Sequence, residues 1–180
     1  MAFTEVILVD DRDYPLGHME KLKAHREGLL HRAVSVYVFN PRGELLLQQR
    51  ADSKYHCGGL WSNTCCGHPV PHEESASAAQ RRLYEEMGLN CALTPIFTLQ
   101  YRLPLSNGLI EHELGHVFFG ISGQVPALNP SEAMAYRYQP LTTVLAEARQ
   151  NPPLFTPWFL LTLPDIPAHF DKFLRLKHAG

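Results

Sequence analysis

A chain of 180 residues, 45% of them hydrophobic, can enclose one sizeable core, so a single domain over residues 1–180 is expected. The formal net charge of -2 leaves no clustered excess of Lys and Arg, which disfavours nucleic acid and anionic membranes as partners. The start M-A-F-T-E-V-I-L-V-D-D-R-D has no basic n-region or apolar h-region, and no apolar run approaches the roughly 20 residues that span a bilayer; a cytoplasmic protein and a monomer are the expectation. Cys57, Cys65, Cys66 and Cys91 lack the spacing of a disulfide framework, and neighbours Cys65 and Cys66 would bridge only under strain, so reduced thiols are expected.

In chain order, Phe3 to Asp10 reads as a strand that ends in the turn cluster D-D-R-D-Y-P-L-G. The polar segment from Met19 to His31, carrying Lys21, His25 and His31, reads as a loop with a helical turn. Ala33 to Asn40, the turn N-P-R-G and the return E-L-L-L-Q-Q-R predict a hairpin. Ala51 to Leu60 is a loop by its Asp, Ser and paired Gly, which puts Arg50 at a strand end and Lys54 in a connection. Glu73 to Met87 has helix composition, with an apolar stripe of Ala76, Ala79, Leu83 and Met87 and Gly88 as its stop. Two strand segments follow, Ala92 to Tyr101 and Leu109 to Ile121, then a shorter one around Met134 to Tyr138. Leu141 to Arg149, Trp158 to Leu163 and Ala168 to His178 read as helices, the first broken by N-P-P-L-F-T-P.

Six of the ten histidines precede residue 80: His18, His25, His31, His56, His68 and His72. Downstream lies Glu111-His112-Glu113. On a strand its two carboxylates share one face and His112 takes the other. Like charges on one face repel unless something cationic lies between them. His25, His31 and His68 with Glu111 and Glu113 form a mixed imidazole and carboxylate set suited to Mg²⁺, Mn²⁺ or Zn²⁺; the competing reading is a pair of solvated strand glutamates.

From Gly67 the spacing is five residues to Glu73, seven more to Arg81, then Arg82-Leu83-Tyr84-Glu85-Glu86-Met87-Gly88-Leu89. This resembles the Nudix box, Gly-x5-Glu-x7-Arg-Glu-U-x-Glu-Glu-x-Gly-U with U apolar, at every signature position except one. The resemblance implies a Nudix fold, an α/β (α+β) arrangement with a mixed β-sheet core flanked by helices, and glutamates that bind the Mg²⁺ carried by a diphosphate. The exception is Arg82, a permanent cation where the box has Glu. That weakens a diphosphate hydrolase reading and reinforces diphosphate binding, while Glu86 remains a candidate Mg²⁺ ligand.

The chain as a whole resembles the type 1 isopentenyl-diphosphate Δ-isomerases. The segments that carry this are Glu20 to His25, the L-H-R-A-V-S containing His31, Ser62 to Pro69, Glu111 to Glu113, and Pro157-Trp158. The resemblance implies conversion of isopentenyl diphosphate to dimethylallyl diphosphate through a carbocation, with Cys66 and Glu113 as the acid/base pair. It implies Tyr101 hydrogen-bonded to the catalytic carboxylate, Trp158 facing the cation, and Lys21, Arg50, Lys54 and Arg82 on the diphosphate. It further implies a Mn²⁺, Mg²⁺ or Zn²⁺ site of His25, His31, His68, Glu111 and Glu113, with residues 1–32 an extension supplying ligands. A second ion, Mg²⁺, would be shared by Glu86 and the diphosphate, with the Cys66 carbonyl as a further donor. A Cys66 that merely packs as a core thiol, a Trp158 that only fills the core and a noncatalytic diphosphate-binding module are the bland readings beside it.

Overall fold

The computed structural model describes residues 4–179. The elements are β1 (Glu5–Val9), β2 (Pro15–Glu20), α1 (Lys21–Glu27), β3 (His31–Phe39), β4 (Leu45–Arg50), β5 (Trp61–Ser62), β6 (Cys65–Gly67), α2 (Ser75–Met87), β7 (Leu93–Pro104), β8 (Ile110–Ile121), β9 (Ala133–Gln139), α3 (Leu141–Gln150), α4 (Pro157–Thr162) and α5 (Ile166–His178). These nine strands of the described residues join one mixed sheet, in which β3 runs parallel to β8 and β8 antiparallel to β7.

The central strands are buried on both faces, which is why β3 reads as V-S-V-Y-V-F rather than as a clean alternation. On one face Val34, Val36 and Val38 of β3, Leu46 of β4 and Phe118 of β8 pack against Ala78, Ala79, Leu83 and Met87 of α2. On the other, Tyr37, Phe39, Leu45, Leu47 and Phe119 meet Val144 of α3, Phe159 of α4, and Phe170 and Phe173 of α5. The expected helical stripe is present with one change: Ala76 is exposed, and Ala78 takes its place on the buried face. Gly88 ends α2 at φ 64°, its N–H bonded to the Tyr84 carbonyl, and a Cβ there would lie 2.6 Å from the Ala127 carbonyl oxygen.

Three expectations change. Residues 15–17, read as the end of a turn cluster, and Met19 and Glu20, read as the start of the polar segment, lie in the edge strand β2, paired with β1 from Glu5↔Glu20 onward. Pro15 is tolerated because it is the strand's first residue, where a missing N–H breaks no central ladder. The segment read as a loop with a helical turn holds a regular helix, α1, capped by the Glu20 carboxylate on the N–H groups of Leu22 and Lys23. The hairpin of β3 and β4 pairs only at Phe39↔Leu45. Beyond that point the strands part: β6 pairs with β3 over Val34 to Val36, β9 lies along β4, and Thr64 is wedged between. Its hydroxyl accepts the Val38 N–H at 2.8 Å and donates to the Leu46 carbonyl at 2.7 Å, bridging two strands that no longer bond each other. Phe3, placed at the start of β1 from sequence, lies outside the described residues.

Candidate active site

Strand register builds the site. Glu113 on β8 lies opposite His31 on β3 and opposite Tyr101 on β7, so three distant residues become lateral neighbours. Two positions back, Glu111 shares their face and meets His25 from α1, while His112 points away and bonds the Gly28 carbonyl. His68, just past β6, brings its Nε2 to 2.9 Å from Glu113 Oε1. The expectation of two carboxylates on one face with His112 on the other is met, and Glu111 and Glu113 are buried rather than solvated.

Ligand atoms of His25, His31, His68, Glu111 and Glu113 all lie within 4.8 Å of one another. The hydrogen bonds orient them. His25 Nδ1 donates to the Lys21 carbonyl at 2.7 Å and His31 Nδ1 to the Leu29 carbonyl at 2.8 Å, which leaves each Nε2 with its lone pair facing inward. Those two nitrogens and Glu111 Oε2 are buried without a hydrogen-bond partner. A buried polar atom left unpaired is destabilising by about 1–3 kcal/mol, and three converging acceptors have no donor to share. Burial drives His68 down to about 3, against the pull of Glu113, so this imidazole is neutral as ligation requires. For Glu113 burial pushes upward, but contacts with His31 and His68 outweigh it and hold the carboxyl well below the usual range. The donor set fits a divalent cation.

Beside this cluster opens a cavity of about 360 Å³, and Lys21, Arg50, Lys54, Cys66, His68, Arg82, Glu86, Tyr101, Glu111, Glu113 and Trp158 all line it. His25 and His31 lie behind its wall, fully buried. Cys66 sits on β6 opposite Ser35 of β3, its thiol 3.6 Å from Ser35 Oγ and donating to Asn63 Oδ1 at 3.3 Å. Burial pushes the thiol up to about 12 despite those two bonds, so it is protonated at neutral pH. Cys65 turns the other way, into the α2 core, and all four cysteines are free. Tyr101 donates its hydroxyl proton to Glu113 Oε2; burial and the Glu113 charge hold the phenol far above its ordinary range.

The cations converge from four elements. Arg50 at the end of β4 lies with its guanidinium 5.1 Å from the Trp158 ring centre, and Lys21 lies 5.0 Å from that of Tyr55. Burial and then the nearby charges of Lys54 and Arg82 depress Lys21, against the opposing pull of Glu111 and Glu132. Arg82 bonds Glu86 Oε1 at 2.5 Å and Glu132 Oε1 at 3.1 Å, and Lys54 bonds Glu132 Oε2 at 2.5 Å. Gln48 donates to the other Glu86 oxygen at 2.6 Å, so Glu86 stands outside the five-residue cluster with both oxygens engaged. Two box residues are braces: Glu73 accepts two bonds from Arg81 and one from the Val70 N–H, and Arg81 also donates to the His68 carbonyl. Gly67 lets Arg82 through, because a Cβ there would lie 2.5 Å from the Arg82 Cγ.

Sequence reasoning passed over Glu132, Gln48, Asn63, Ser35 and His56. His56 carried a signal as a histidine two residues from Lys54, and Ser35 and Asn63 lay within segments that carry the resemblance; Glu132 and Gln48 are ordinary polar residues until the strands are paired.

Residues 29–159 match the family model described as NUDIX domain. Among solved structures with this fold, the protein DR0079 of Deinococcus radiodurans superposes with TM-score 0.76 at 18% identity, covering 89% of this chain and 98% of that one. A MutT protein of Methanosarcina mazei does so with TM-score 0.62 at 19% identity, covering 82% and 95%. At such identities the likeness is one of fold. Much nearer in sequence are the curated relative named isopentenyl-diphosphate Delta-isomerase from Pectobacterium atrosepticum, 60% identical over 96% of this chain and 97% of its own length, and its namesake from Burkholderia multivorans, 51% identical over 86% and 88%. The chain belongs to the isopentenyl-diphosphate Delta-isomerase family within the NUDIX class.

Proposed function

We propose that this enzyme isomerises isopentenyl diphosphate to dimethylallyl diphosphate, with Cys66 and Glu113 as its acid/base pair. The observation that carries this is a thiol, a carboxylate and an indole lining the same cavity as four cations. The reaction needs a proton delivered to the terminal alkene carbon and another removed from the carbon nearer the diphosphate, with a tertiary carbocation between. Cys66 and Glu113 hold one proton between them. Burial favours its residence on Cys66 Sγ, while His31 and His68 hold the Glu113 carboxyl low and Tyr101 donates a hydrogen bond to it. A cation beside Glu113 would make its protonated carboxyl the stronger acid, which favours Glu113 as the donor, and that proton must then pass to the carboxyl before the alkene is protonated. One turnover moves the proton from one member to the other, so an exchange must reset the pair.

Trp158 offers the π face that steadies the cation, an attraction of about 2 kcal/mol or more in a desolvated pocket. Lys21, Arg50, Lys54 and Arg82 bind the diphosphate, whose oxygens replace Glu132 and Glu86 as partners of Lys54 and Arg82. The set His25, His31, His68, Glu111 and Glu113 would hold Mn²⁺, Mg²⁺ or Zn²⁺, whose charge would make a protonated Glu113 a stronger acid. With Arg82 turned to phosphate, Glu86 would be available as an oxygen ligand for a Mg²⁺ that accompanies the diphosphate. Of the expected extension over residues 1–32, residues 1–3 lie outside the described residues, and the remainder brings His25 and His31 to the cluster.

Incubation with isopentenyl diphosphate and Mg²⁺ should yield an acid-labile allylic diphosphate and no released phosphate. Cleavage of nucleoside diphosphates with no allylic product would favour a Nudix hydrolase instead. Arg82 argues against that outcome, since it occupies the box position of a hydrolase carboxylate and is committed to ion pairs.

A further inference from the structure

The loop between β4 and β5 sends one imidazole inward. His56 is 8% exposed, and its Nε2 lies 2.8 Å from Glu111 Oε1, the carboxylate oxygen that does not face His25. Glu111 Oε2 lies 3.3 Å from His25 Nε2 and has no hydrogen-bond partner. The two oxygens of Glu111 are thus divided, one 2.8 Å from His56 Nε2 and one presented to the cluster. His56 itself falls outside the set of mutually close ligand atoms.

The imidazole is held from several sides. The Arg50 guanidinium donates to the His56 carbonyl at 3.2 Å, and the ring stands edge-on to Trp158 with centroids 5.4 Å apart. Tyr55 packs against it at 4.3 Å, and Cys57 next in the chain takes a left-handed backbone at φ 52° to aim the loop inward. The other ring nitrogen, Nδ1, is buried without a hydrogen-bond partner, so the Glu111 carboxylate is the polar group the ring meets.

We propose that His56 is a positioning residue, whose Nε2–H holds Glu111 Oε1 so that Glu111 Oε2 is presented to the ion, while its ring edge seats Trp158 against the reacting carbons. A carboxylate ligand fixed through its second oxygen loses less rotational freedom when it binds a cation. Removal of such a partner weakens metal binding or activity by about 10- to 100-fold. The proposal rests on the isomerase reading for its catalytic consequence, whereas its effect on ion binding is independent of that reading.

The test is calorimetric titration of the metal-free full-length protein with Mn²⁺ alone, alongside kcat and KM for isopentenyl diphosphate. His56→Phe keeps a ring against Trp158 but has no donor for Glu111. It should weaken Mn²⁺ binding by about 10- to 100-fold and lower kcat with little change in KM, since no diphosphate cation is removed. His56→Gln, whose amide nitrogen can take the place of Nε2, should restore Mn²⁺ affinity to within a few-fold. If His56→Phe does not fold, His56→Asn, too short to reach Oε1, takes its place. Wild-type affinity in the donor-less variant, or a Gln variant as weak as the Phe one, overturns the proposal. A wild-type protein that binds Mn²⁺ but forms no allylic product sinks the isomerase reading, and the affinity series still decides the role of His56.

Discussion

Cys66 and Glu113 are held very differently although they line one cavity. The thiol is half-buried with two weak partners and keeps its proton; the carboxylate is buried with Tyr101, His31 and His68 around it and is held low. A positioned acid or base contributes typically 10²–10⁴-fold, so Cys66→Ala and Glu113→Gln should each lower kcat by about that much. The two variants should part company in ion binding. Cys66→Ala leaves all five clustered donors in place and should titrate with Mn²⁺ as the wild type does. Glu113→Gln removes a charged donor and should bind the ion more weakly. Loss of Mn²⁺ affinity in Cys66→Ala would mean that the thiol acts through the cluster rather than on substrate.

At the scale of elements, the loop before α2 is fastened by one ion pair. Arg81 grips both oxygens of Glu73 and the His68 carbonyl, so a helix residue fixes the backbone that presents a cluster imidazole. The Arg81 bond, against burial, holds the Glu73 carboxyl below its ordinary value. A depressed carboxylate stabilises the fold above its unfolded pKa and ceases to do so as pH falls through its folded pKa. With side-chain exposures of 15% for Glu73 and 32% for Arg81, screening limits the pair to about 1 kcal/mol. Glu73→Gln should therefore lower Tm by about 2–4 °C near neutrality. Thermal unfolding followed across pH should show that gap closing as the solution is acidified through the Glu73 titration. A gap that stays constant to acid pH would remove the ion pair as its cause.

Across the whole molecule, the cluster joins segments far apart in sequence: α1, the start of β3, the loop after β6, and β8. An ion bound there ties residues 21–31 to the central sheet, and binding to the native state alone adds stability by mass action. Chelation should lower Tm and raise protease cleavage within residues 10–30, as read by mass spectrometry of the fragments. Cleavage there that is indifferent to chelator would argue against His25 and His31 as ligands. Among the described residues no helix is long and apolar enough to cross a membrane.

Much of the chemistry was legible before any strand was paired, because it is written in short fixed offsets. Gly67 to Leu89 is one loop and one helix, so a four-residue offset already places Arg82 beside Glu86, whereas Glu73 reaches Arg81 only because the loop before α2 folds back on the helix. The two-residue period of a strand likewise puts Glu111 and Glu113 on one face. Long-range pairing is not written that way. The parting of β3 from β4 depends on Thr64 bridging them, and β2 exists because β1 offers it an edge. Glu132 and His56 gained partners only when β9 and the loop after β4 reached the cavity. The sequence by itself determined the residue types and the helix that carries the box, since local offsets are set by backbone geometry. Only the tertiary structure decided which buried acceptors lack a donor and which oxygen of Glu111 is left for an ion, because those follow from register between strands tens of residues apart.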